Sequence, residues 1–478
     1  MNDTEPVSVP AASHDSATPT ALVRFMLRRW RVPAQRPVRP IVNAAAFAAR
    51  RRRLSELYPG ETLIIPTGHE KVRANDTTYR FRPGTDFYYY TGNLEPDCVL
   101  VMLPEGGGHL DALFVEPNPG RSDPTFFTDR KKGELWVGAR LGIEGSARRY
   151  GVNARPLPDL PGFLTSISTP IRVLRGVSAL VDAALPISAN REDAFAAALS
   201  EARLQKLPEE VRELSAVIAS TKRGFDDVIR ALGTARSERE VEGVFNLRAR
   251  KEGNDVGYGT IAASGKHACT LHWTRNDGRL KKGELLLLDA GVEGNSLYTA
   301  DITRTLPMSG RFTPAQREVY HLVWQAQHAA FAEVKPGNDF MAPNAAAMAV
   351  MARGLVRMGI LTNAEDALYP WNQYYKRYTL HNVSHMLGLD VHDCAKARQE
   401  TYKFGKLTPG MVLTVEPGLY FQPDDLTVPR KYRGIGVRIE DDILVTPTGM
   451  RNLSKQFPSR WDAVERWMAE VQGAQRSA

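Results

Sequence analysis

The stretch Gly283 to Thr305, GELLLLDAGVEGNSLYTADITRT, restricts the fold more than any other part of the chain. Leu285 to Leu288 form an uninterrupted apolar run that reads as a strand buried on both faces, and the run stops at a carboxylate, Asp289. Gly291, Gly294 and Asn295 are turn residues, and Tyr298 to Thr305 reads as a returning strand with Asp301, Thr303 and Thr305 on one side. Such a hairpin brings two carboxylates together in an apolar setting, where each loses hydration and repels the other. A shared proton, an arginine or a cation has to neutralise them.

At 478 residues the chain exceeds one ordinary core, and 43% hydrophobic with 24% charged residues is a globular composition, so two domains are expected. No apolar run approaches the roughly 18 residues of a membrane span. Cys98, Cys269 and Cys394 lie far apart and match no metal-binding spacing, which predicts buried packing residues and a reducing compartment. The net charge of +8 is unevenly placed: ten arginines and no acid lie between Arg24 and Arg53, whereas residues 1–23 carry Asp3, Glu5 and Asp15 with no Lys or Arg. With its prolines and small polar residues, 1–45 reads as a basic, poorly ordered arm. It could bind an anionic surface; the plainer reading is a solvated tail that helps dock subunits, with no specific nucleic-acid partner. Asp3, Glu5 and the broken apolar stretch Ala21 to Leu27 do not make a secretory signal, so a cytoplasmic protein is expected.

Residues 46–205 read as a small α/β domain with strands at Thr62–Ile65, Cys98–Leu103 and Ala112–Val115, a helix over Lys131–Leu141 and an aromatic cluster at Phe87–Tyr90. Residues 206–465 read as the larger domain, with 466–478 as a tail. Pro208 opens a long amphipathic helix to about Leu232, and Ser237 with Glu240 forms a capping box for another to about Glu252. Ala268 to Thr274 alternates, with Thr270, His272 and Thr274 on one side. Further helices are expected from Thr313 to about Val334 and from Pro343 to Met358.

Three later stretches carry polar residues in apolar surroundings. His381-Asn-Val-Ser-His385 has the i, i+4 spacing of a helical zinc pair, but the glutamate of HExxH is missing and Gly388 follows closely, so something other than a helix presents these histidines and His392. The strand Met411 to Val415 ends at Glu416 because Pro417 cannot continue a ladder. In Gly434 to Glu440, Ile435, Val437 and Ile439 face a core while Arg438 and Glu440 share the other face. Asp289, Asp301, His385, Glu416 and Glu440 together form an oxygen-rich donor set suited to Mn²⁺ or a similar ion, and four carboxylates balance two divalent cations. Two such metals can lower the pKa of a shared water and hold a substrate carbonyl. His272, His381 and His392 would then handle protons, and Arg438 would orient a carboxylate.

At these residues the chain resembles the M24 pita-bread metallopeptidases, specifically the Xaa-Pro aminopeptidases (aminopeptidase P). LLDAG, DITRT, SHMLGLDVHD, TVEPGLY and GIGVRIEDD stand in family order, with DFYYYTG and ELWVG towards the N-terminus. The resemblance implies an α+β fold: a creatinase-like α/β N-terminal domain followed by a pita-bread catalytic domain, a curved sheet backed by helices. It implies Asp289 on one metal, His385 and Glu416 on the other, and Asp301 and Glu440 bridging both. Glu416 would also be general base towards a metal-bridged hydroxide. A residue like His272 would assist proton transfer, residues like His381 and His392 would contact substrate, and Arg438 would support the site. The implied substrates are peptides with proline second, the usual metal is Mn²⁺, and the assembly is a homodimer or homotetramer. A dipeptidase of the same fold and a non-catalytic scaffold are the alternatives. There are two departures from the family pattern. Eleven residues separate Asp289 from Asp301, one more than usual, which is expected to lengthen the hairpin loop rather than shift its register; and Asn382 stands where glycine is usual.

Overall fold

The computed structural model describes residues 18–31 and 37–476. Two compact units divide at Ala196/Ala197, earlier than the boundary at 205 expected from sequence, and the helix Ala189–Glu201 carries the chain through the division. No helix among the described residues is long and apolar enough to cross a membrane.

The N-terminal unit is built on a five-stranded sheet. Its strands are β1 (Thr62–Pro66), β2 (Val99–Glu105), β3 (Gly108–Val115), β4 (Asn153–Pro156) and β5 (Ile171–Val173), in the order β4-β3-β2-β1-β5. The apolar runs that predicted the first three strands are buried. Phe87 to Tyr90 sit buried in the helix Thr85–Thr91, which Gly92 ends in the left-handed region. The helix expected over Lys131–Leu141 is a single turn, Glu134–Val137. Gly133 packs where a Cβ would meet the Asp129 carbonyl at 2.4 Å, and Gly138 leaves the turn with φ +86°; two glycines limit what side-chain pattern alone would extend.

The arginine-rich stretch is not all arm. Helix α1 (Ala44–Leu57) carries Arg50 and Arg51 into the interior. Arg50 lies over the Tyr89 ring at 4.2 Å and donates to the Tyr89 carbonyl, while Arg51 pairs with Asp111 at 2.6 Å and donates to the Tyr90 carbonyl. Of the arm expected over 1–45, Thr20–Met26 is helical, and residues 1–17 and 32–36 lie outside the described residues.

In the C-terminal unit, α2 (Pro208–Ala231) and α3 (Glu238–Glu252) follow the predicted bounds closely, and Ser237 caps α3 by accepting from the Glu240 amide. They pack through Phe225 and Phe245, edge to face at 6.0 Å. Strands β6 (Ile261–Ser264), β7 (Leu285–Ala290) and β8 (Ile302–Pro307) make one antiparallel sheet with β7 in the centre. Every residue of β7 is buried, as a strand covered on both faces requires. Helices α4 (Pro314–Glu333) and α5 (Ala342–Arg357) come next. Then β9 (Val412–Val415), β10 (Gly418–Tyr420), β11 (Gly436–Arg438), β12 (Asp441–Thr446) and β13 (Gly449–Asn452) complete the unit as a sheet β9-β12-β13 and a pair β10-β11.

Two expectations are corrected here. Ala268–Thr274 is not a strand: a 3₁₀ turn, Gly265–Cys269, leads into irregular chain, because Trp273 spends its indole N–H on Glu238 rather than packing as one side of a sheet. The C-terminal stretch is not a loose tail either. Helix α6 (Trp461–Arg476) runs through it, with Trp467 and Met468 buried and Trp467 Nε1 donating to Asp226 of α2 at 2.7 Å.

Candidate metal centre

The β7–β8 hairpin fixes the first two carboxylates. Its pairing runs from Leu285↔Pro307 through Asp289↔Thr303 to Ala290↔Ile302, and Glu293↔Thr299 continues the same register beyond Asp301. The additional length therefore falls in the turn, where Leu297 takes φ +62°. Gly291 stands opposite Asp301, and a Cβ there would lie 1.7 Å from the Ala300 carbonyl, so only glycine lets the strands approach. Asp289 and Asp301 are thus diagonal neighbours on one face, both nearly fully buried.

The remaining elements aim at that face. Asp301, His385 and Glu440 each present a ligand atom, and the three atoms lie within 4.8 Å of one another. His385 Nε2 is 3.3 Å from Asp301 Oδ2 and 3.3 Å from Glu416 Oε1. Its Nδ1–H donates to the Met386 carbonyl at 3.1 Å. Burial acts to lower the imidazole, but the hydrogen bonds from Nε2 to Asp301 and Glu416 and their charges push it well above its ordinary value, so without a cation Nε2 carries a proton that a metal would displace. Asp289 is held on both oxygens, by Arg438 Nη2 at 2.5 Å and by the Tyr258 hydroxyl at 2.6 Å. Glu440 accepts from Thr303 at 2.6 Å.

Behind these residues the buried Arg304 donates to the carbonyls of Thr303, Glu440, Phe457 and Pro458 and to Asp441 Oδ1 at 2.9 Å. One guanidinium thus ties β8 to the chain that presents Glu440.

The histidines flank the acids. His381 Nε2 is 2.8 Å from the Tyr420 hydroxyl and its Nδ1 is 3.6 Å from Glu416 Oε2; Tyr420 in turn accepts from Arg438. His392 packs edge to face on His385, with ring centroids 4.3 Å apart. His272 is exposed and near enough for its charge to act on both His381 and His392. Asn382 takes no positive φ; its carbonyl receives His381 Nδ1 at 2.9 Å. Tyr258, Tyr420 and Thr303 belong to the site although sequence reasoning gave them no role. Thr303 was recoverable from its side of the strand, whereas the two tyrosines have no periodic signal.

The electrostatics follow from burial. Burial, reinforced by Asp289, pushes the Asp301 carboxyl up to about 6 despite its hydrogen bond with His385. Burial and the charges of Asp301, Glu416 and Asp289 push Glu440 well above the carboxylate range. For Glu416, burial acts upward, but the His385 hydrogen bond and the charges of His381, His385 and Arg438 outweigh it and hold the group low. Burial lowers His381. Carboxylates that take up protons this readily call for a cation, and a mostly oxygen donor set with one imidazole fits a divalent ion such as Mn²⁺.

The sign of the pH dependence follows. The folded-state value of Asp301 lies above its ordinary 3.8, so the folded, metal-free protein binds the extra proton and loses stability as pH rises through about 6. A cation must displace that proton, so Mn²⁺ affinity measured by calorimetry should strengthen between about pH 5 and about pH 7. Unchanged or weakening affinity would contradict this competition.

Comparison with known proteins agrees with this architecture. Residues 212–447 match metallopeptidase family M24, and residues 47–172 match the aminopeptidase P N-terminal domain. Xaa-Pro aminopeptidase 1 of Streptomyces coelicolor is 50% identical over 456 residues, covering 95% of this chain and 92% of the relative. A substrate-bound variant of Escherichia coli aminopeptidase P superposes with a TM-score of 0.80 at 31% identity, covering 91% of this chain and all of that one. The zinc-substituted, product-bound form of the same enzyme gives 0.80 at 32% identity over 90% and 99% of the two chains. The fold is therefore the α+β pita-bread type with an aminopeptidase P N-terminal domain, and the chain belongs to the M24 metallopeptidase family, among its Xaa-Pro aminopeptidases.

Proposed function

We propose that the protein is a metalloaminopeptidase that hydrolyses the bond between an N-terminal residue and a following proline. Two divalent cations, Mn²⁺ by preference, would be held by Asp289, Asp301, His385, Glu416 and Glu440. The observation that carries this reading is the convergence of buried Asp301 and Glu440 and half-buried Glu416 on His385 in a chain so similar to Xaa-Pro aminopeptidases. Bound there, the cations would acidify a water and polarise the substrate carbonyl.

The chain's own groups supply the rest. Glu416, kept ionised by its neighbours, is the acceptor for the proton of the attacking water. His381, held by Tyr420, is neutral at physiological pH and can accept from or donate to the peptide. His272 and His392 serve substrate binding and proton delivery to the leaving proline nitrogen. Arg438 fixes the Asp289 carboxylate. A cytoplasmic location and assembly as a homodimer or homotetramer belong to the same reading, and the free, buried cysteines agree with a reducing compartment.

The test offers chelator-stripped protein, with and without Mn²⁺, a Xaa-Pro-Xaa tripeptide and a Xaa-Pro dipeptide. Metal-dependent release of the first residue from the tripeptide is expected. Cleavage of the dipeptide alone would make the protein a dipeptidase, and cleavage of neither by metal-loaded protein would point to a scaffold.

A further inference from the structure

A buried carboxylate outside the site gathers both ends of the loop that carries His272. Glu238, the first residue of α3, is fully buried and accepts four hydrogen bonds. Its Oε1 receives the Ser264 amide at 2.7 Å and His267 Nδ1 at 2.8 Å; its Oε2 receives Trp273 Nε1 at 2.8 Å and the Gly278 amide at 2.7 Å. The Glu238 amide donates back to the Gly278 carbonyl at 3.0 Å. The His267 ring lies flat on the Trp273 indole, 4.0 Å between centroids. At Gly278 a Cβ would come within 2.7 Å of both Glu238 Oε2 and the His267 ring, so the loop closes onto the carboxylate with no room to spare.

His272 sits between two anchored neighbours. On one side the Leu271 carbonyl accepts from Arg438 Nη2 at 3.4 Å, the same nitrogen that grips Asp289. On the other, Trp273 is tied to Glu238. The His272 side chain is exposed, so its direction is set through the backbone these anchors hold. Burying a charged carboxylate is costly, and an apolar side chain could fill the same space without that cost; what the carboxylate adds is a fork that fixes the direction of two rings at once.

We propose that Glu238 is a positioning residue for His272, acting through Trp273 and His267 to hold the imidazole towards the substrate side of the metal centre. Its kinetic consequence rests on the aminopeptidase reading; its structural consequence does not. The test compares E238Q and W273F, each alone and combined with H272A, in the full-length, Mn²⁺-loaded protein. With a Xaa-Pro-Xaa tripeptide each single variant should lower kcat by about 10- to 100-fold, as expected for a misplaced catalytic group, with KM and metal content near those of the parent. In the H272A background the same changes should add almost nothing. In histidine-labelled, metal-free protein the His272 resonance, assigned by its loss in H272A, should shift in both single variants.

Equal kcat losses with and without His272, or an unmoved His272 resonance in a folded variant, would overturn the proposal. Should E238Q fail to fold, W273F, which removes one donor of the four, carries the test. If the parent protein releases no residue from any Xaa-Pro peptide, the aminopeptidase reading falls and the resonance alone decides the positioning.

Discussion

Glu440→Gln is expected to reduce tripeptide turnover by at least about 100-fold, beyond the 10- to 100-fold typical of losing an outer partner of a metal ligand, while leaving the metal-free fold intact. The two halves of this expectation have one cause. Burial and three neighbouring carboxylates push Glu440 well above the ordinary carboxylate range, so the neutral amide resembles the form the metal-free protein already favours. A glutamine oxygen can still accept from Thr303, which now donates to Glu440 at 2.6 Å. The lost charge matters only to a bound cation. Asp301→Asn should behave in the same way, since burial lifts that carboxyl as well. Activity, metal content and melting temperature measured together decide it. A fully active, metal-loaded E440Q would remove Glu440 from the ligand set, and collapse of the metal-free fold would show that its role is structural.

Asp393→Ala should cost about 3–5 kcal/mol of stability, the usual penalty for removing one partner of a buried ion pair. Asp393 is fully buried and receives Arg203 Nε at 3.0 Å and Lys206 Nζ at 3.2 Å. Truncation removes the carboxylate that both buried cations face. Asp393 also closes the loop between His385 and His392: its amide donates to the Met386 carbonyl at 3.0 Å, and a Cβ at Gly388 would lie 2.1 Å from Asp393 Oδ2. Burial alone would raise the Asp393 carboxyl, but the charges of Lys206 and Arg203 hold it below its ordinary value. Its contribution is therefore present at neutral pH and lost as pH falls below the carboxylate range. Thermal denaturation of the variant should show the loss at pH 7 and a smaller difference from the parent in strong acid. An unchanged melting temperature at pH 7 would contradict this.

How far the sequence could be read depended on whether local pattern or tertiary bonding decides each element. The hairpin was legible because four leucines ending in Asp289 and a returning strand of period two leave only one register that buries the apolar set. Glu416 and Glu440 were legible for the same reason: each stands where an apolar strand stops. The loop after β6 was misread because its alternation imitates a strand, whereas Trp273 and His267 both turn to Glu238 on α3. Arg50 and Arg51 fall within the domain expected from 46 onward, but their burial was not legible, because the Tyr89 ring and the carbonyls of Tyr89 and Tyr90 offer partners that composition does not disclose. The C-terminal helix could have been found. Trp461, Val464, Trp467, Met468 and Val471 recur at helical spacing, and that stripe is what packs inward.

The central claim, a dinuclear centre built by Asp289, Asp301, His385, Glu416 and Glu440, is tested most directly by titrating chelator-stripped protein with Mn²⁺ near pH 7.5 while following tripeptide hydrolysis. Two equivalents bound per chain, with turnover absent from stripped protein and restored by the titration, is the expected result. Saturation at one equivalent, or hydrolysis that continues undiminished in the presence of chelator, would contradict it.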